Sequence, residues 1–229
     1  SLFNTLTGTR QKVANYAGVT VERKEGSFKL PSGDAVRVLD LPGTYSLKPS
    51  SLDEEVTRAV CLGELKGEIL PDIFICVVDA TNLSLHLSLV LEVRALNRPM
   101  ILVLNMMDEV KKRGISIDKD KLSQLLGIPV VEAVAVKTKG IQDLINQLDQ
   151  KNLFITPYHS ELSHFEQVKQ ITKQVILNND NGDKRTAFLD KIFLHPVLGL
   201  VILTLTMFVM FQAVFIWATP FIEFIENFV

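Results

Sequence analysis

An α/β fold, with a mostly parallel sheet and helices on both faces, is predicted by three observations. The apolar runs Asp72–Val78, Met100–Leu104 and Pro129–Val136 are continuous, as in strands covered on both sides. Helical periodicity at Leu83–Leu96, Asp118–Leu126 and Gly140–Leu148 alternates with them, the signature of strands connected through helices. Polar motifs fall where the strands end, which is where such sheets bind ligands.

The elements follow in order. Leu2, Phe3 and Leu6 have helical spacing, and Thr7-Gly8 closes a short helix. Residues 9–20 are polar and read as a loop. Gly26–Leu30 and Ala35–Asp40, split by Pro31-Ser32-Gly33-Asp34, read as a hairpin. Leu52–Leu65 has helical spacing with a charged face. After the three buried strands and their helices, Glu161–Leu177 reads as one amphipathic helix and Asn178–Asp183 as a linker. The predicted organisation is an α/β domain over 1–152, a helical segment and linker over 153–190, and an apolar helix region over 191–229.

Composition narrows the function classes. The net charge of −2 argues against a basic field for nucleic acid. Cys61 and Cys76 form no disulfide framework and no metal spacing; both read as packing residues of a reducing compartment. His86, His159, His164 and His195 are scattered and read as surface or interface residues, so no metal site is expected from them. The opening Ser1–Gly8 has neither the basic region nor the apolar core of a signal peptide. A helix starting at residue 1 without a preceding strand leads to the expectation of missing upstream sequence.

Pro196 to Ile222 is a run of 27 uncharged residues, about 40 Å as a helix and longer than the ~30 Å hydrocarbon core of a bilayer. Lys184, Arg185 and Lys191 precede it and Glu223 and Glu226 follow, which orients residues 1–190 to the cytoplasm. Trp217 fits an interfacial anchor. Gln212, the one strongly polar side chain in the span, either bonds a neighbouring helix or is merely tolerated.

Four motifs carry candidate chemistry. Asp40-Leu41-Pro42-Gly43 ends a strand: the carboxylate can hold a Mg2+ shell, and the glycine lets a backbone N–H approach a γ-phosphate. Asn105-Met106-Met107-Asp108 ends another: the Asp108 carboxylate can accept from the N1–H and N2–H edge of guanine, a donor pair adenine lacks. The Asn105 side chain can stitch a base loop to a phosphate loop. Thr20, in Gly18-Val19-Thr20, can offer a hydroxyl to Mg2+. Ala135-Val136-Lys137 ends the last strand, where a backbone N–H can meet the guanine O6. Each motif alone is weak, and a loop or turn would explain it; order, spacing and strand-end placement together are more specific.

Asn15-Tyr16-Ala17-Gly18-Val19-Thr20-Val21-Glu22, Asp40-Leu41-Pro42-Gly43-Thr44-Tyr45-Ser46-Leu47 and Asn105-Met106-Met107-Asp108 together resemble the G domain of the bacterial ferrous iron transport protein B family, FeoB. Leu194-His195-Pro196-Val197-Leu198-Gly199 resembles that family's entry into its first transmembrane helix. The resemblance implies a Ras-like P-loop GTPase fold, a helical regulatory segment, and an inner-membrane domain moving Fe2+ inward. It implies GTP and GDP as ligands, Mg2+ as cofactor, held by Thr20 and, through water, by Asp40, and a monovalent cation as a further candidate. Small accessory Feo proteins are candidate partners; nucleic acid is not. Thr20 becomes the switch-one threonine within a nucleotide-binding stretch Gly18 to Glu22. Asp40 to Gly43 begin switch two, Asn105 to Asp108 read guanine, and Ala135 to Lys137 form the last base loop.

Departures from the family pattern shape further expectations. The family carries a Gly-x-x-x-x-Gly-Lys-Ser/Thr phosphate loop just before Ser-Leu-Phe-Asn, whereas here Ser1 is the first residue. This polypeptide is therefore expected to bind nucleotide poorly or not at all, as a truncated chain would. The helical segment at 156–182 is shorter than the family's, and one span cannot form a transport path. Thr44 stands where Ras-type enzymes place a water-orienting glutamine, so hydrolysis is expected to be slow, helped by a cation or a backbone-held water. Ala135-Val136 replaces a common Ser-Ala, leaving backbone recognition intact. Two competing readings are a membrane-anchored regulatory GTPase without transport and a nucleotide-sensing module that barely hydrolyses.

Overall fold

A computed structural model describes residues 2–8, 11–16, 19–133, 138–150, 158, 162–178, 189 and 191–217. Its centre is the parallel sheet β4 (Phe74–Asp79), β5 (Met100–Asn105) and β7 (Val130–Glu132), in the order β4-β5-β7. Phe74 pairs with Met100 through to Asp79 with Asn105, and Leu102 to Leu104 pair with Val130 to Glu132. Ile101, Leu102, Val103 and Leu104 are 0% exposed, so the middle strand must be covered on both faces. On one face Leu102 and Leu104 join Leu83, Leu87, Val90 and Leu91 of α3 (Leu83–Arg94) and Leu122 and Leu126 of α5 (Lys119–Leu126). On the other, Ile101 and Val103 meet Leu6 of α1 (Leu2–Thr7) and Ile141, Leu144 and Leu148 of α6 (Thr138–Asp149). Both cysteines are core residues, as expected, and burial pushes the Cys61 and Cys76 thiols up to about 11 and about 12.

A second, antiparallel sheet has the order β1-β2-β3, formed by Gln11–Asn15, Glu22–Lys29 and Ala35–Asp40. The hairpin is present, closed by Leu30 N–H donating to Asp34 C=O at 2.9 Å. The polar stretch read as a loop is, over Gln11–Asn15, a strand. Gln-Lys-Val-Ala-Asn shows no apolar alternation because it is an edge strand whose Lys12, Val13, Ala14 and Asn15 are exposed; backbone pairing from Gln11↔Gly26 to Asn15↔Glu22 holds it. Gly26 is required here by close approach: a Cβ would lie 2.4 Å from Thr7 Cγ2 and 2.7 Å from Thr7 Cβ. A third apolar cluster joins Tyr16 and Val21 to Val56 and Val60 of α2 (Leu52–Leu62), with the Tyr16 hydroxyl buried and without a hydrogen-bond partner among the described residues.

Three differences from the periodicity have local causes. α2 stops at Gly63, not Leu65, because Gly63 takes the left-handed conformation that ends a helix (φ 74°). A short helix α4 (Met107–Lys112) and strand β6 (Ile115–Ile117) fill the stretch before α5, each too brief for a periodic signal. The helix expected over 161–177 is α7 (His164–Val175), started by a Ser163/Glu166 capping box. Its expected last residues instead form β8 (Ile176–Asn178), antiparallel to β6. α7 buries Ile171 and Val175 in the α3/α5 cluster. Arg94, 1% exposed, donates from Nε to Leu126 C=O at 3.1 Å and lies 5.4 Å from the Tyr158 ring, whose hydroxyl bonds Gln167 of α7. Residues 134–136 of the third expected strand and 179–183 of the linker lie outside the described residues.

The chain divides into two compact units, residues 1–180 and 181–229. In the second, α8 (Leu198–Gln212) continues into a wider helical turn at Ala213–Trp217. Leu198–Phe215 has mean hydropathy 2.3 and no buried residue, long and apolar enough to cross a membrane. Thr204 and Thr206 donate their hydroxyls to Leu200 and Ile202 C=O at 2.9 and 2.8 Å, leaving little polar surface. The His-Pro-Val-Leu-Gly motif acquires a structural reason. His195 Nδ1 accepts from the Val197 and Leu198 N–H groups, both at 3.2 Å, satisfying donors at the helix start. Gly199 sits where a Cβ would be 2.5 Å from Phe193 O. Residues 218–222 and the Trp217 side chain lie outside the described residues.

Two outcomes follow for the detergent-solubilised protein under chemical denaturation. Gly26→Ala drives a methyl into Thr7 and lowers stability by about 1–3 kcal/mol, as overpacking does; unchanged stability would contradict the α1–β2 contact. Tyr16 has its phenol pushed up to about 12, chiefly by burial and then by Glu68. The unfolded chain releases that proton first, near its ordinary value of 10, so stability falls as pH rises from 10 to 12. Tyr16→Phe removes this buried hydroxyl, raises stability by about 1 kcal/mol at neutral pH, and lacks this alkaline component.

Candidate functional site

Two groups of predicted residues are assembled at strand ends. The first lies at the paired termini of β4 and β5, where Asp79 registers with Asn105. Met107 and Val110 are buried and seat α4 on the sheet. That seating turns the chain sharply at Met106, a non-glycine residue at φ 61°. Asn105 is thereby left half-buried and Asp108 exposed in the first turn of α4. A strand-end amide and a nearby carboxylate can read a planar ligand edge through paired hydrogen bonds. Asp79, which the motif reading missed, accepts from Thr81 N–H and Oγ–H, both at 2.8 Å, and rigidifies the neighbouring turn.

The second group lies where β2 begins and β3 ends. Val21, Glu22, Asp40, Leu41 and Pro42, all predicted site residues, line an open cleft of about 220 Å³ with Lys24 and Asp53. Lys24 is registered with Asp40 and forms a 2.9 Å ion pair with Glu22. Partial desolvation raises the Asp40 carboxyl above its ordinary range; Lys24 opposes the shift and Glu22 reinforces it. Thr20 is exposed beside the cleft, in a loop closed by Tyr16 N–H donating to Val21 C=O at 3.0 Å. Because Tyr16 and Val21 pack on Val56 and Val60, this loop and α2 share one apolar cluster.

The segment after Gly43 is tied down at successive points. Thr57 Oγ1 donates to Pro42 C=O at 3.0 Å. Thr44 Oγ1 lies 2.6 Å from Ser46 C=O and 3.2 Å from Glu54 Oε1, so its hydroxyl is engaged within its own turn. Glu54 also accepts from Ser50 N–H and Oγ–H at 2.8 and 2.7 Å, and these bonds hold its carboxyl below the usual range. Tyr45 stacks on His86 of α3 at 5.6 Å.

Thus the structure joins the Val21–Glu22 and Asp40–Pro42 stretches in one cleft and Asn105 with Asp108 at one strand end. Gly18 and Ala135, Val136 and Lys137 lie outside the described residues. Of the residues sequence reasoning missed, Glu54 carried a signal in the Ser51-x-x-Glu54 capping pattern. Asp79 carried one in its strand-end position. Among the described residues, no group of three or more His, Cys, Asp or Glu side chains is arranged to hold a metal ion.

Comparison with known proteins bears on this arrangement. A family model described as ferrous iron transport protein B matches residues 1–148. The Fe(2+) transporter FeoB of Salmonella typhimurium is 44% identical over 171 residues, covering 73% of this chain and 21% of that protein. The Escherichia coli K12 protein is 43% identical over the same length. The chain spans about a fifth of the length of these curated relatives. Among solved structures, the cytosolic domain of T. maritima FeoB in a GDP form matches with TM-score 0.67 at 31% identity, covering 77% of this chain and 93% of that one. Its GMPPNP form gives 0.64 at 31% identity, with coverages of 77% and 94%. With a family model matched over 148 of 229 residues and the expected mixed α/β architecture in place, the chain belongs to the ferrous iron transport protein B family.

Proposed function

We propose that this chain is the GTP-binding, GTP-hydrolysing regulatory part of a bacterial ferrous iron transporter, coupling nucleotide state to a membrane domain. The observation that carries the reading is the presentation of Asn105 and Asp108 at the end of the buried central strand, in a chain similar to proteins solved in GDP and GMPPNP forms. Asp108 accepts from guanine N1–H and N2–H, and adenine would leave that carboxylate unpaired; sites of this kind discriminate by about 10⁴-fold or more. Asn105 supports the base loop, and Ala135 to Lys137 supply its last backbone contacts. Gly18 to Glu22 and Asp40 to Gly43 face the phosphates.

The residues present fit Mg2+. Asp40 is a partly desolvated carboxylate with Glu22 nearby, an environment that a divalent cation relieves. Thr20 would hold the ion through its hydroxyl and Asp40 through water, and the ion would neutralise charge on the transferring phosphate. Slow hydrolysis follows from Thr44, which is short and engaged with Ser46 and Glu54; a monovalent cation or a backbone-held water would assist. These 229 residues contain no Gly-x-x-x-x-Gly-Lys-Ser/Thr segment, the motif whose backbone N–H groups cradle phosphates.

The nucleotide-binding domain occupies 1–152 and the helical regulatory segment and linker 153–190. The region 191–229 enters the inner membrane through the apolar helix, with residues 1–190 cytoplasmic. Fe2+ is the cargo of the whole transporter, and small accessory Feo proteins are candidate partners.

The test is competition of GTP and ATP against a fluorescent guanine nucleotide, using the full-length protein. GTP competes strongly and ATP does not; Asp108→Asn weakens GTP by about 100-fold or more, the loss expected when a paired recognition carboxylate is removed. Equal competition by ATP would overturn the assignment. Asp40→Asn reduces the Mg2+ dependence of GTP affinity and leaves guanine preference intact, read by titrating Mg2+ at fixed nucleotide.

A further inference from the structure

We propose that Glu92 of α3 is a positioning residue: its carboxylate latches the segment after Asp40-Leu41-Pro42-Gly43 onto α3 and opposes the arrangement that a γ-phosphate requires. The inference rests on the guanine-nucleotide reading given above.

The geometry is specific. Ser46 Oγ lies 3.0 and 2.9 Å from the two Glu92 carboxylate oxygens, and Leu47 N–H donates to the same carboxylate. These partners are 45 and 46 residues distant in sequence, so the contact is tertiary and not a helix-local habit. Ser46 Oγ also accepts from Lys48 N–H at 3.0 Å. Ser46 C=O and N–H both engage Thr44 Oγ1, at 2.6 and 3.3 Å. A continuous chain of bonds therefore runs from Glu92 through Ser46 to Thr44, the residue next to Gly43. Hydrogen bonds to an ionised carboxylate are the stronger kind.

The latch hangs from a fixed strut. Leu83, Leu87, Val90 and Leu91 anchor α3 with 0–1% exposure, and Arg94 ties its end to Leu126 and the Tyr158 ring. Glu92 is half-buried and is not among the core residues that anchor α3. A move of Gly43 toward a γ-phosphate would pull on this bonded segment, while α3 is held by its buried residues. A contact made in one arrangement only shifts the balance between the two, and a ligand that prefers the other arrangement binds more weakly by that factor.

The test uses the full-length protein and measures GDP and GMPPNP affinities separately. Glu92→Ala raises the ratio of GMPPNP to GDP affinity by about tenfold, with GDP affinity changed less than about twofold. Ser46→Ala, a smaller change in a half-buried loop, raises the ratio in the same direction, and the double variant adds little, because the two residues form one contact. Glu92→Gln keeps the shape and an acceptor and falls between wild type and Glu92→Ala. Equal loss of both affinities would show a structural role only and overturn the proposal, as would an unchanged ratio or full additivity. A wild-type protein binding neither nucleotide would instead overturn the guanine-nucleotide reading, so the two failures are distinct.

Discussion

A strand with no exposed side chain from Ile101 to Leu104 is the constraint on which the rest of the first unit depends. Such a strand cannot sit at an edge or with one face in water. It needs a parallel neighbour on each side and a helical layer above and below, and β4, β7, α3, α5, α1 and α6 meet that need. Parallel pairing forces each connection to return across the sheet. The loops carrying Asp79, Asn105 and Asp108 therefore leave the same end of the strands. Polar groups gather there because a packed interior has no place for them.

A second organising feature is the way one short segment is held by distant helices. Pro42, Thr44, Ser46, Leu47 and Ser50 are bonded to Thr57, Glu54 and Glu92, and Leu41 and Leu47 pack on the core. Most of these bonds use backbone groups or hydroxyls of the segment and carboxylates of the helices. Hydrogen bonds of this kind fix one arrangement while remaining exchangeable, since each can be replaced by water or ligand. The loop at Tyr16–Val21 is joined to the same α2 by apolar contact. The two sides of the cleft thus share a common support in α2.

The second unit follows different rules. Its helix has no buried face and an apolar composition throughout, so its side chains need an apolar surrounding other than the protein described. The capping nitrogen of His195 and the close approach at Gly199 show that the short motif before the helix is occupied with starting it.

Much of this architecture was legible because the relevant forces are local in sequence. Continuous apolar runs located β4 and β5 within a residue or two, helical spacing located α3, α5 and α6, and Pro-Ser-Gly-Asp located the hairpin turn. Motif order picked out Asp40 and Asn105 at strand ends and Asp108 just beyond, in the first turn of α4, and Val21 and Glu22 line the Asp40 cleft. The rest depended on partners far away in the chain. β1 has no apolar pattern because only its backbone is recognised by β2; β8 ends a helical period because β6 is there to pair with it. The carboxylate of Glu92 meets Ser46 across 46 residues, and the phenol of Tyr16 is buried by α2. Periodicity and turn chemistry determined which elements form; only tertiary packing decided which edge strands pair and which carboxylates hold the segment beside the site, because those choices depend on proximity that no local pattern encodes.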